Sequence, residues 1–417
     1  MKLKSRWQSH ESSVMPRPVG GNSTIQAISL LSKIIQKGNM NIIKTFYGQP
    51  SYTLENNKVS VQVTIQGGCL TASFRNDEEE KNPFFIAPWW NETLRPETAQ
   101  ILKVLRGSFF CLPFGDNSTN FKGVQFPPHG ETANDNWDFV KIEEQSGEKR
   151  LLLKMELDKL GGEVYKKIKI RDDSSIVYIK NRVRGYSGLA PVGYHPTVTL
   201  PNTTGKAMLN FSDTVIGYTP RKSPEEPTNG GYSLLKPDVE ITDATKVPCI
   251  NGETADLTHV PITKGYDDVA LFVNDQTRDF NYTSITYPDE GYLYFQIKNP
   301  KVLSNTFFWM SNGGRHYYPW NGRVNSTLGI EEVTSFFHYG IKQSIDSNFV
   351  QDNGHKTYLD FEKSAPKDIE LIIGLIPVPD SFRGVKDIKK KKGSKIAILG
   401  KQGGVFEVSC DLDFLKT

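Results

Sequence analysis

Two carboxylates stand side by side in LGIEEVTSFFHYG, residues 328–340, inside an otherwise apolar run. Neighbouring residues of a strand point to opposite faces, so Glu331 and Glu332 must serve different surroundings. A carboxylate in an apolar strand loses hydration, and its pKa rises unless a cation pairs with it. That suits a general base working near neutral pH. The alternative is one Glu facing solvent and the other paired with Lys or Arg. PVGYHPTVTLP, residues 191–201, presents a single imidazole. A residue before proline is pushed towards extended backbone, which aims His195 from a strand end. It is then either a proton donor or a histidine packed beside the strand. PPHGETANDNWDF, residues 127–139, sets His129 beside a glycine in a loop, with Trp137 eight residues on. LRGSFFCLPFGDN, residues 105–117, puts Arg106 before a glycine turn and an aromatic strand.

Other chemistries lack their motifs. There is no Walker loop, no GxGxxG after a strand, no HExxH and no GxSxG. The seven histidines, at 10, 129, 195, 259, 316, 338 and 355, show no close metal-ligand pairing with a third ligand nearby. Cys69, Cys111, Cys249 and Cys410 are far apart, against a disulfide framework or a structural zinc and in keeping with a reducing compartment. Neither a metal nor a cofactor is expected. The 50 basic and 47 acidic residues leave a net charge of +3, which makes no case for nucleic acid. KDIKKKKGSK, residues 386–395, has no interleaved aromatics and reads as a solvated turn.

The elements that must carry these residues are strands. VSVQVTI, from residue 59, alternates with period two, and LLLKMEL, VALFVND, YLYFQIKN and NTFFWMSN behave similarly. PETAQILKVL, residues 96–105, is a lone short helix candidate within this region. Many antiparallel strands without alternating helices predict an all-β sandwich or barrel. Residues 40–417 read as a single domain, with a divergent segment from about 385, and 1–39 as an extension. Within that extension, residues 23–38 have helical spacing, for a docking helix or a targeting segment, but Lys33 interrupts them as a signal sequence. No apolar run is long enough for a membrane helix, so a cytoplasmic location is expected.

Taken in order, RGSFFCLPFG, HGETANDNW, GYHPTV and LGIEE resemble the motifs of the galactose mutarotase-like (aldose 1-epimerase) superfamily. Their pattern is nearest to that of its hexose-6-phosphate 1-epimerase branch. LENNKVSVQVTIQGGCLTASF resembles the first hairpin of that family, and the resemblance spans about residues 45–345. It implies a β-supersandwich with a sugar cleft on one sheet, no cofactor and a small sugar as partner. It also implies Glu331 as the base at the anomeric hydroxyl and His195 as the acid at the ring oxygen. Arg106 and His129 would bind sugar hydroxyls, Trp137 would line the cleft, and Asp267 or its neighbour Asp268 would bind a further hydroxyl. The phosphosugar branch carries an arginine where this chain has Ala133, which speaks against a phosphorylated substrate. A non-catalytic sugar-binding protein on the same scaffold is the alternative reading.

Overall fold

The computed structural model describes residues 42–76 and 79–416. Lys44–Thr417 is one compact unit. The extension 1–39, with its expected helix, lies outside the described residues. Two large antiparallel sheets dominate, one of eight strands and one of nine, with a five-stranded sheet near the start of the unit and a three-stranded one at its end. Among the described residues the α-helices are Gln100–Val104, Ile341–Ile345 and Phe349–Asp352, the first of them within the expected 96–105 run. None is long and apolar enough to cross a membrane among the described residues.

Strand periodicity sorts side chains into layers. In Tyr292–Lys298 of the nine-stranded sheet, Leu293, Phe295 and Ile297 face one way and join a core with Ile388, Ile396 and Ile398. Those isoleucines belong to the three-stranded sheet of Val385–Lys391, Lys395–Gly400 and Val405–Ser409. The Lys-rich run is therefore strand and turn, with Ile388 inward and its lysines outward. On the alternate positions, Gln296 and Lys298 point at the eight-stranded sheet. Gln296 Nε2 reaches Ile330 O at 2.9 Å, and Lys298 pairs with Glu332. The layers run from the three-stranded sheet, through the nine-stranded and eight-stranded sheets, to a cavity on the far face of the latter.

The strand that matters most is Thr327–Thr334, buried along its whole length. It pairs with Asn305–Asn312 on one side, Glu331 opposite Phe307 and Glu332 opposite Thr306. On the other side it pairs with two short strands, Val192–Tyr194 and Thr197–Thr199. Pro196 has no backbone N–H to give a ladder, and the neighbouring strand breaks there. Ile330 N still donates to Pro196 O at 2.7 Å, and His195 N turns to Phe109 O at 2.9 Å. The interruption frees the His195 side chain to turn towards Glu331.

Candidate active site

Alternation decides what each glutamate meets. Glu332 faces the nine-stranded sheet. Its carboxylate pairs with Lys298 and accepts from Thr283 Oγ1 at 2.9 Å, Gln296 Nε2 at 2.7 Å and Thr306 Oγ1 at 2.8 Å. Every member is buried, so the charge is matched by a cation and by fixed donors. Glu331 faces the opposite way, into a cavity of about 250 Å³. Its Oε1 lies 3.1 Å from His195 Nε2, while its buried Oε2 has no hydrogen-bond partner. Burial drives the Glu331 pKa well above the carboxylate range, with Arg315 pulling against the shift.

His195 is held on both ring nitrogens, since Nδ1 lies 3.0 Å from Thr197 Oγ1. The Phe109 ring stacks on it at 4.5 Å, and the His129 ring meets it edge-on at 5.0 Å. Burial, and then His129, push its pKa well down. His129 sits at φ +60°, in the left-handed region, and its Nδ1 is 3.6 Å from Cys111 Sγ. A non-glycine residue there costs of order 1–3 kcal/mol and persists where its surroundings impose it. Here His129 N is held to Gly115 O at 2.6 Å. Burial, then His338, lowers the His129 pKa to about 3. Burial, then Arg315, lowers that of His338 to about 4. The His129 and His338 imidazoles are thus neutral near pH 7, so they offer hydrogen bonds rather than charge.

The remaining polar wall is Asp116 and Arg315. Burial raises the Asp116 pKa. Arg315 Nε stands 2.7 Å from Glu225 Oε1 and 3.1 Å from Asp267 Oδ1, and its guanidinium lies over the rings of Trp309 and Trp320. Leu102, Leu105, Trp309 and Trp320 supply much of the apolar wall. Among the described residues, no group of three or more His, Cys, Asp or Glu is placed to hold a metal ion.

No family model matches the sequence, and no curated protein is similar enough to count as a match. Solved structures do match. A candidate aldose 1-epimerase from Klebsiella pneumoniae superposes with a TM-score of 0.55 at 13% identity, over 81% of this chain and 82% of its own. A galactose mutarotase-like protein from Clostridium acetobutylicum gives 0.53 at 10% identity, over 81% and 98%. A candidate mutarotase from Salmonella typhimurium gives 0.52 at 12% identity, over 84% and 99%. The fold is the galactose mutarotase-like β-sandwich. At these identities the likeness is one of fold, and the expected membership of a hexose-6-phosphate branch gains nothing from it.

Within this mutarotase-like sandwich the residues expected from the sequence part company. His195, Glu331 and His129 come together on the cavity. Arg106 lies elsewhere. It is buried, and its guanidinium donates to Val104 O at 3.1 Å, Phe46 O at 2.7 Å and Tyr47 O at 3.0 Å. Those carbonyls occupy the donors that a hydroxyl would need. Trp137 is also buried away from the cavity, with Nε1 on Thr132 O at 3.0 Å and Lys166 over its ring at 4.5 Å. Asp267 stands one layer behind the wall. It accepts from Trp309 Nε1 at 2.7 Å and from Ser311 Oγ, and it pairs with Arg315. Asp268 instead caps the backbone N–H groups of Leu234 and Leu235. Ala133 is buried in a short 3-10 helix, Glu131–Ala133, away from the cavity wall.

Arg315 and His338 were not singled out in the sequence. A signal for Arg315 exists in SNGGRHYYPW, where a Gly-Gly turn follows an aromatic strand. At Gly314 an added Cβ would lie 2.3 Å from Asp267 N, so only glycine lets the turn press that close. His338 has no such signal, because its place depends on how the chain folds back after the Glu331 strand.

Proposed function

We propose that this protein is a mutarotase, interconverting the anomers of an uncharged monosaccharide by acid–base ring opening and closure. The reading rests on one observation above the others. A buried carboxylate with one unpartnered oxygen touches a buried histidine on the wall of a cavity of monosaccharide size, about 250 Å³. Pockets for drug-sized ligands are larger, about 300–1,000 Å³. Glu331 takes the proton of the anomeric hydroxyl. The His195–Glu331 pair holds one proton, which is on His195 when ring opening starts. The C1–O5 bond breaks with its electron pair moving to O5, which takes that proton from the His195 imidazolium, and C1 becomes an aldehyde. Rotation about C1–C2 presents the other face. Closure returns the O5 proton to His195 and the Glu331 proton to the new anomeric oxygen. Burial makes an ionised Glu331 a stronger base and a protonated His195 a stronger acid, which eases both transfers.

The same wall argues for a neutral sugar. Its one guanidinium, on Arg315, is already matched by Glu225 and Asp267, His195 is matched by Glu331, and the imidazoles of His129 and His338 are uncharged. A phosphate or uronate would be buried without a free cation, which is costly.

Anomer exchange of D-glucose, D-galactose and pentoses, followed by NMR saturation transfer, tests the proposal. Glu331→Gln should slow exchange about 10²–10⁴-fold. No acceleration by the wild-type protein across that panel would sink the enzymatic reading.

A second reading, sugar binding without catalysis, is favoured by the His195–Glu331 contact itself, because Glu331 Oε1 and His195 Nε2 are already engaged with each other. On that reading calorimetry finds binding with no exchange, and Glu331→Gln leaves affinity almost unchanged.

A further inference from the structure

Of the three histidines on the cavity, two have their Nδ1 atoms engaged, by Thr197 in His195 and by Cys111 in His129. His338 is different. Its Nδ1 is buried and has no hydrogen-bond partner. Buried polar atoms are nearly always paired, so an exception asks for an explanation. The backbone around His338 shows that its position is imposed. The preceding residue, Phe337, sits at φ +48°, a left-handed conformation that a bulky side chain rarely adopts. His338 O then accepts from Asp116 N at 2.7 Å, which ties the turn to the loop after Phe114. An added Cβ on Gly115 would lie 2.7 Å from that same carbonyl. The chain is thus bent back and clamped so that this imidazole stands on the wall that carries Glu331.

We propose that His338 is a substrate-contacting residue, its unpartnered Nδ1 hydrogen-bonding a ring hydroxyl of the sugar other than the anomeric one. The assignment rests on the sugar-binding reading of the cavity. Neutral imidazole carries one N–H and one lone pair, so it can serve a hydroxyl as donor or acceptor. Contact with a hydroxyl would supply the partner that the empty protein lacks.

Calorimetric titration with D-glucose, D-galactose and their 2-, 3-, 4- and 6-deoxy analogues tests it. Wild-type protein should bind one analogue about tenfold more weakly than its parent sugar, the loss of about one hydrogen bond. His338→Ala should bind the parent about tenfold more weakly than wild type, yet bind that analogue and the parent equally well. His338→Gln, which keeps a polar group, should recover part of the loss, and it replaces the alanine variant if that fails to fold. Unchanged discrimination among the analogues in both variants, with anomer exchange intact, would overturn the contact and leave the mutarotase reading standing. Coupled discrimination without any exchange would support the contact and overturn the mutarotase reading. Failure of wild-type protein to bind either parent sugar would overturn the contact, and the mutarotase reading with it if pentose exchange is not accelerated either.

Discussion

Glu331 and His338 illustrate how burial sets proton affinity in opposite directions, and each leaves a mark on stability. Unfolded, a histidine takes up its proton near pH 6.5, whereas folded His338 does so only near pH 4. Between those values the unfolded chain binds more protons, so acid favours unfolding across that window. Stability should therefore fall as pH drops from about 6.5 towards 4. Replacing His338 with Gln should make that limb shallower, by at most about 1.4 kcal/mol per pH unit. Denaturant titrations of both proteins at a series of pH values check this, and parallel limbs would contradict it. Glu331 acts with the reverse sign, since its folded pKa lies above the unfolded one. Its stabilising contribution is present in acid and is lost as pH rises past about 4.5, so Glu331→Gln should lose less stability than wild type on going from pH 5 to 7.

At the scale of the element, the Thr327–Thr334 strand separates two tasks by its alternation. Glu332→Ala removes one partner of a buried ion pair and leaves Lys298 uncompensated, which should cost about 3–5 kcal/mol. Gly329→Ala should do the opposite. Its new Cβ would lie 2.9 Å from Glu331 Oε1 and 3.2 Å from Trp309 Cβ, so the carboxylate must move while the ladder stays. Exchange should fall at least tenfold, with a melting temperature close to that of wild type; denaturation and exchange assays on the pair of variants read this out. This strand also shows what a sequence makes legible. Period-two alternation was enough to put the two glutamates on different faces, and the Pro196 break was enough to make His195 a strand-end residue. Arg106 and Trp137 were misleading because their roles depend on backbone carbonyls that only tertiary structure brings near: those of Phe46 and Tyr47 for the guanidinium, and that of Thr132 for the indole. Asp267 and Asp268 could not be told apart by spacing either. The first holds Arg315 behind the wall, and the second caps a loop.

For the whole molecule, the layers make the site dependent on sheets that never touch the cavity. The three-stranded sheet covers one face of the nine-stranded one, with Ile388, Ile396 and Ile398 packed on Leu293, Phe295 and Ile372. Ile398→Ala, at a fully buried position, should destabilise the protein by about 2–5 kcal/mol. The rate of anomer exchange per folded molecule should stay unchanged, because the change lies on the far side of two sheets. A loss of specific activity beyond the unfolded fraction would show that the layers are coupled more closely than their packing implies. The layering also governs how the base-bearing strand meets solvent. Its amides pair with strands on both edges, a matched carboxylate is locked beneath it, and a mostly apolar cavity lies above it. Local fraying has no route to these amides, so deuterium should enter Ile330 and Val333 only when the entire sandwich opens. Their exchange rates would then serve as an internal gauge of global unfolding, read at the positions flanking the two glutamates.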